Sequence, residues 1–308
     1  MALAHCPASC GEIIQGWILG SEKLVSCPVN WFSTVEVSWG TPRVDERPLV
    51  RAMMSQLLAG WGYPAALGAK IRIDCRSTIP LAKGMASSTA DIAATAVAAA
   101  RHLGHVLDEA ALAAQCVALE PTDSTLFRAL SLFDHTTGKT RIACDSPPAL
   151  DILLLESPLT LRTADYHRLA REALLKDNAD RLDLAWQKVQ AACQQNSPSL
   201  LGEAATLSAI ASQRLLPKPG FSALLDIVER LDLYGVNVAH SGSIVGLFLD
   251  RERHDVEEIV WWVKRRTEAE SWPVQHLLRL IEGGVREGEP VVPADGYTLP
   301  GLQGGIAL

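Results

Sequence analysis

The chain has 308 residues, 48% of them hydrophobic and 20% charged, with a formal net charge of −7 and a mean hydropathy of +0.12. That balance gives no electrostatic footprint for a nucleic-acid partner. No apolar run approaches the ~20 residues of a membrane-spanning helix, and residues 1–7 lack the basic and apolar regions of a secretory leader. Seven scattered cysteines form no framework of paired bridges and read as reduced thiols, so a cytoplasmic location is expected. Cys6 and Cys10 have no second pair or His cluster to complete a zinc site.

In chain order, residues 3–16 read as a strand broken at Pro7 to Gly11. Residues 23–39, rich in β-branched and aromatic side chains, read as its partner on one sheet. A short helix is predicted over 48–58 and a strand over 70–75. An alanine-rich helix over 90–103 stops at Gly104. Asp108 caps a helix that continues to Leu119 and is broken by Pro121. Residues 131–134 and 140–144 form a hairpin, and 145–148 read as a linker. The second half holds a buried strand at 151–156, a long helix over 164–193, and helices over 200–215 and 221–233. Strands at 236–239 and 244–250 follow, then a helix over 254–268, a strand over 274–281 and an irregular tail from Gly283. The pattern is α+β in both halves, with domains at 1–148 and 149–308.

The most informative stretch runs from Ile79 to Asp91, Ile-Pro-Leu-Ala-Lys-Gly-Met-Ala-Ser-Ser-Thr-Ala-Asp. A strand feeding a Gly- and Ser-bearing turn that opens a helix suits an anion, because first-turn N–H groups lack intrahelical partners and sit at the positive end of the dipole. Ser88 with Asp91 three residues on fits a capping box equally well. Gly138-Lys139-Thr140 ends like a Walker A loop, but Phe133 stands where its opening glycine belongs, so it is read as a hairpin turn.

Three separated stretches, Pro-Ala-Ser-Cys-Gly-Glu at 7–12, Pro-x-x-x-Gly-Met-Ala-Ser-Ser at 80–88 and Ser-Gly-Ser at 241–243, stand in the order and spacing of the GHMP small-molecule kinases. The resemblance spans residues 5–282. Residues 6–16 and 83–91 are most similar to the members of that family that phosphorylate L-threonine in cobalamin assembly. It implies an N-terminal domain with a left-handed βαβ unit, a C-terminal ferredoxin-like domain, and ATP with Mg²⁺ as cofactors. The implied reaction is phosphorylation of the threonine hydroxyl. Homoserine or a mevalonate-type alcohol is the alternative acceptor, and a non-catalytic nucleotide sensor the alternative class.

The resemblance also distributes roles. Lys83, Gly84, Met85, Ala86, Ser87, Ser88 and Thr89 would form the phosphate loop, with Ser88 reaching Mg²⁺ or the β-phosphate. Many members have glycine where Ala86 stands, which matters if that position needs a positive φ. Ser241, Gly242 and Ser243 would close over the nucleotide, or form a plain hairpin turn. Glu12 and Gln15 would face the substrate. Asp123 falls where some members place a proton acceptor beside the attacking hydroxyl; a turn-forming Asp is the other use, and some members lack such a base. Glu120 is a candidate second Mg²⁺ ligand or a solvated helix-end acid. Lys83 would offset phosphate charge or lie in solvent, and Trp261 and Trp262 are read as packing residues.

Overall fold

The computed structural model describes residues 1–144, 146–159, 172–268 and 270–290. The first half contains β1 (Ala2–Ile18), β2 (Ser21–Trp39), α1 (Pro48–Gly60), β3 (Ile71–Ser77), α2 (Ser87–Leu103), α3 (Glu109–Val117), β4 (Ser131–Phe133) and β5 (Arg141–Ala143). The second half runs β6 (Asp151–Glu156), α4 (Glu172–Lys176), α5 (Ala179–Gln195), α6 (Pro198–Ser212), α7 (Phe221–Arg230), β7 (Gly235–Val238), β8 (Ile244–Leu249), α8 (Val256–Arg266), β9 (Val274–Arg279) and β10 (Arg286–Glu287).

These strands join one sheet in the order β5-β4-β2-β1-β7-β8-β6-β9, with β3 against β2 and β10 against β1. The second half is a βαββαβ unit whose strand order, β7-β8-β6-β9, is that of a ferredoxin-like fold. Its sheet meets the first half where Glu12 on β1 pairs with Val238 on β7. β6 is buried on both faces: Ile152 and Leu154 face one apolar core, Leu153 and Leu155 the other. A two-residue side-chain period produces that division. The first core lies under α1, α2, α5 and α6, the second under α7 and α8.

Helix ends follow local chemistry. Gly104 closes α2 at φ 77°, where a Cβ would be strained. The Asp108 carboxylate accepts from Ala111 N–H at 2.7 Å to open α3. Four expectations need correction. β1 is one strand rather than two, because register shifts at 7/8, 9/12 and 12/14 absorb the irregular Pro and Gly residues as bulges. α2 starts at Ser87, three residues before the alanine run. The helix expected over 164–193 is interrupted between Lys176 and Ala179; its residues 164–171 lie outside the described ones, as does Asp145 of the expected linker. The tail supplies β10, paired with Ala4 and His5, while residues 291–308 are likewise outside. All seven cysteines are free. Among the described residues no helix is long and apolar enough to cross a membrane.

Candidate active site

The three sequence motifs converge at the start of α2. Ser9 N–H donates to Met85 O at 3.1 Å, and Ser243 N–H donates to Lys83 O at 3.0 Å. Gly84 has φ +80°, and a Cβ there would lie 2.5 Å from Ala239 Cβ and 2.9 Å from Gly242 Cα. A Cβ on Gly242 would in turn meet Lys83 O at 2.2 Å. The two loops therefore pack backbone to backbone, and only glycine fits at the two contact points.

Ala86 has φ 57° and ψ 27°, the left-handed region, a conformation that costs an L-residue roughly 1 kcal/mol. It swings the chain into α2 without a side-chain cap and with no acidic residue in the first turn. The expected Ser88–Asp91 capping box is absent. Asp91 lies inside the helix, where its carboxylate accepts from Ser33 Oγ at 2.5 Å and pairs with Arg47. The helix start thus leaves its first-turn N–H groups and positive dipole end for an external anion. Ser87 and Ser88 keep partial exposure. They line a cavity of about 240 Å³ with Arg47, Pro48, Leu49 and Leu81.

Two carboxylates from the turn after α3 flank this start. Thr89 Oγ1, on the third residue of α2, donates to Asp123 Oδ2 at 3.2 Å, and Asp123 N–H donates back to the same hydroxyl at 3.2 Å. Asp123 precedes a 3₁₀ turn without capping it, so its side chain bonds the start of α2 rather than the turn. Reciprocal bonds of 2.9 Å between the backbone N–H and hydroxyl groups of Ser26 and Ser124 fix that turn to β2. Burial pushes the Asp123 carboxyl up to about 7, Glu12 and Glu120 push the same way, and the hydroxyls of Thr89 and Ser26 oppose them. The group keeps partial solvent access, but protein atoms surround it closely enough for desolvation to dominate.

Glu120 also titrates above the usual carboxylate range, first because of burial, with the nearby Ser88 hydroxyl opposing and Asp91 adding to the rise. Its Oε1 is buried with no hydrogen-bond partner among the described residues. An orphaned acceptor beside a serine hydroxyl and an open helix start fits a hard cation carried by a polyphosphate. No three His, Cys, Asp or Glu side chains converge to hold a metal among the described residues, so the rest of such an ion's coordination would come from phosphate and water.

Other expected residues take different positions. Lys83 is buried; its Nζ donates to Ser157 O at 2.5 Å and Leu159 O at 3.1 Å and pairs with Glu156 at 3.3 Å. It anchors the loop from behind instead of facing phosphate or solvent. Ser243 Oγ donates to Leu159 O at 2.6 Å, so Ser243 belongs to the same wall and only Ser241 remains half-buried. Met85 buries its side chain in the first core. Gln15 is buried, its Oε1 without a partner among the described residues, and its backbone N–H donates to Ser208 Oγ at 3.0 Å. Trp261 and Trp262 sit on α8 in edge contact with each other, with Arg230 and Arg266 over the Trp262 ring.

Glu12 is held by residues that the motifs did not single out. Its Oε2 accepts from His240 N–H at 2.8 Å and lies 3.1 Å from His240 Nδ1, while His240 Nε2 lies 3.1 Å from Ser208 Oγ. A carboxylate oxygen only accepts, so His240 donates from Nδ1 to Glu12, and the Ser208 hydroxyl, which accepts from Gln15 N–H, bonds the other ring nitrogen. Lys218, between Pro217 and Pro219, is buried and donates from Nζ to Gly242 O at 2.6 Å. Burial lowers its ammonium to about 8, with Glu12 opposing. His240 directly precedes Ser-Gly-Ser and could have been suspected from the sequence. Lys218 carried no such signal.

Residues 48–127 match the family model described as the GHMP kinases N terminal domain. The chain is 66% identical over 285 residues to the L-threonine kinase of Citrobacter freundii, covering 92% of this chain and 99% of that one. It is 62% identical over 286 residues to the L-threonine kinase of Salmonella typhimurium, covering 93% and 95%. Among solved structures, mevalonate diphosphate decarboxylase from Staphylococcus aureus superposes with a TM-score of 0.70 at 12% identity, over 94% of this chain and 98% of that one. That last likeness speaks for the fold alone.

Proposed function

The chain belongs to the GHMP kinase family, and from that premise we propose that it transfers the γ-phosphoryl group of ATP to the side-chain hydroxyl of L-threonine. The observation that carries the reading is the pairing of Asp123 with Thr89 in the first turn of an uncapped helix. It sets a proton acceptor beside the place where an anion is best held. The acceptor's identity is supported by relatives of 62–66% identity that are L-threonine kinases. O-phospho-L-threonine would then pass to cobalamin assembly, in the cytoplasm, where the free cysteines would stay reduced.

Phosphoryl transfer asks the protein mainly for positioning and charge stabilisation. The first-turn N–H groups of α2 and the 84–89 backbone bind and orient the phosphates, held rigid from behind by Lys83, Gly242 and Ser243. GHMP kinases use ATP with Mg²⁺, and here Ser88 and Glu120 would hold the ion, which when bound neutralises phosphate charge. Ionised Asp123 takes the hydroxyl proton as the threonine oxygen bonds the γ-phosphorus and the bond to the β-phosphate bridge breaks. A carboxyl poised near pH 7 is half-ionised at neutral pH and a stronger base than an ordinary aspartate. Glu12, with Oε2 fixed by His240, would face the substrate's ammonium side.

The test is ATP turnover with L-threonine, L-serine, L-homoserine and mevalonate, with the phosphorylated product identified by mass. L-threonine is expected to give the highest kcat/KM. Turnover at background with threonine, or a higher value with another alcohol, overturns the reading.

A further inference from the structure

An amino-acid acceptor carries a carboxylate that must leave water on entering a closed site, and an uncompensated buried charge is costly. Most cations around the loops are already paired. Lys83 is committed to Glu156 and two carbonyls. Arg47 is paired with Asp91. Lys218 differs: it is 6% exposed, yet among the described residues its Nζ has one acceptor, the neutral carbonyl of Gly242. An ammonium has three donors, so two remain for a ligand.

The placement of Lys218 follows the shape of the acceptor. Asp123 marks the hydroxyl end. Ser26, whose hydroxyl touches Asp123, pairs across the strands with Glu12. Glu12 is bound by His240, and two residues on, Gly242 O holds Lys218. Proton acceptor, anion and cation thus succeed one another around the 238–242 loop. In threonine, the hydroxyl, ammonium and carboxylate sit on two adjacent carbons in the matching polarity. We infer that Lys218 binds the α-carboxylate of the acceptor and so selects amino-acid alcohols over simple amino alcohols. This rests on the proposed reaction and adds a specificity-determining residue to it. A lysine held against the γ-phosphate instead would serve every acceptor alike, which makes the two roles separable.

The experiment compares L-threonine with (R)-1-amino-2-propanol, the same alcohol without its carboxylate, in the wild type and in Lys218→Met. Wild-type turnover of threonine tests the reaction itself. Given that, kcat/KM for threonine should fall at least about 100-fold in the variant, while that for the aminopropanol changes less than about threefold. Equal losses on both substrates, or an unchanged value for threonine, overturn the inference. The wild type gives a second measurement that does not depend on the variant folding. The threonine-to-aminopropanol ratio of kcat/KM should fall as pH rises through about 8, where Lys218 loses its proton. The other titratable groups around it are Glu12 on β1, His240 after β7 and, beyond Ser26, Asp123, which titrates at about 7, below this window. A flat ratio between pH 7 and 9.5 overturns the assignment.

Discussion

Two helices of this molecule begin in opposite ways. α8 opens on Asp255, whose carboxylate accepts from the N–H groups of Glu257 at 2.9 Å and Glu258 at 3.2 Å. Acids fill its first turn, and Lys264, Arg265 and Arg266 fill its last. α2 opens on a left-handed alanine, with no side-chain cap and no acid. The first helix satisfies its own terminus and dipole. The second leaves both open, accepts strain at Ala86, and has two carboxyls beside it that titrate above their usual range. Stability is local at α8. At α2 it is given up at the proposed phosphate site.

Asp123 gives the sharpest break between the two helix starts. Asp123→Asn should lower kcat by about 10²- to 10⁴-fold with the Kd for ATP nearly unchanged, measured by single-turnover kinetics and calorimetry. Wild-type kcat/KM should fall about tenfold per pH unit below about 7 as Asp123 protonates, and that limb should vanish in the variant. The same shift makes a stability statement. A carboxyl whose folded pKa is raised favours folding when protonated; that contribution is complete below the unfolded pKa and is lost as pH rises through about 7. The Asn variant should therefore melt higher than the wild type at pH 8 and alike at pH 4. A variant that loses activity without gaining stability at pH 8 would show that Asp123 is not strained by burial.

Two smaller effects test the loop and the cation. Gly84→Ala puts a methyl 2.5 Å from Ala239 Cβ at φ +80°. It should raise KM for ATP about 10- to 100-fold and cost about 1–3 kcal/mol of stability, read from turnover and chemical denaturation. Normal ATP affinity would mean that the 84–89 backbone does not hold phosphate. Glu120→Gln should raise the Mg²⁺ concentration for half-maximal activity on the order of tenfold, at similar kcat under saturating Mg²⁺. An unchanged requirement removes Glu120 as a ligand.

Much of this arrangement was legible in the residues themselves, because local chemistry decides it. Gly104 ends α2, Asp108 opens α3, and the unbroken apolar run over 151–156 marks β6 as a buried strand. The motif at 80–88 singles out the turn that opens α2 before any contact is known. What stayed hidden was non-local. Nothing near Lys83 announces Glu156 and Ser157, which turn it into a buried anchor. His240 and Glu12 are 228 residues apart in sequence, and Lys218 acquires meaning only once Gly242 O is known to face it. By local preference β1 breaks at Pro7 to Gly11, because Pro and Gly are poor strand formers. Pairing with β2 on one side and β7 on the other overrides that local preference through bulges.

The smallest predicted effect tests whether the contrast is as complete as the geometry implies. Asp255→Ala removes the acceptor of two N–H groups at the start of α8, while Glu257 and Glu258 still favour its dipole. The cost should be about 1 kcal/mol, a fall in Tm of roughly 1–2 °C for a chain of this size. kcat and both KM values should stay within twofold, because α8 packs through Ile259 and Val263 on the second core and, among the described residues, supplies no hydrogen bond to the loops that meet α2. A thermal melt and one set of kinetics suffice. If turnover drops several-fold, the two helix starts are coupled through β8 and β6. The stability of α8 would then help set the position of the 238–242 loop, and with it Glu12 and Lys218.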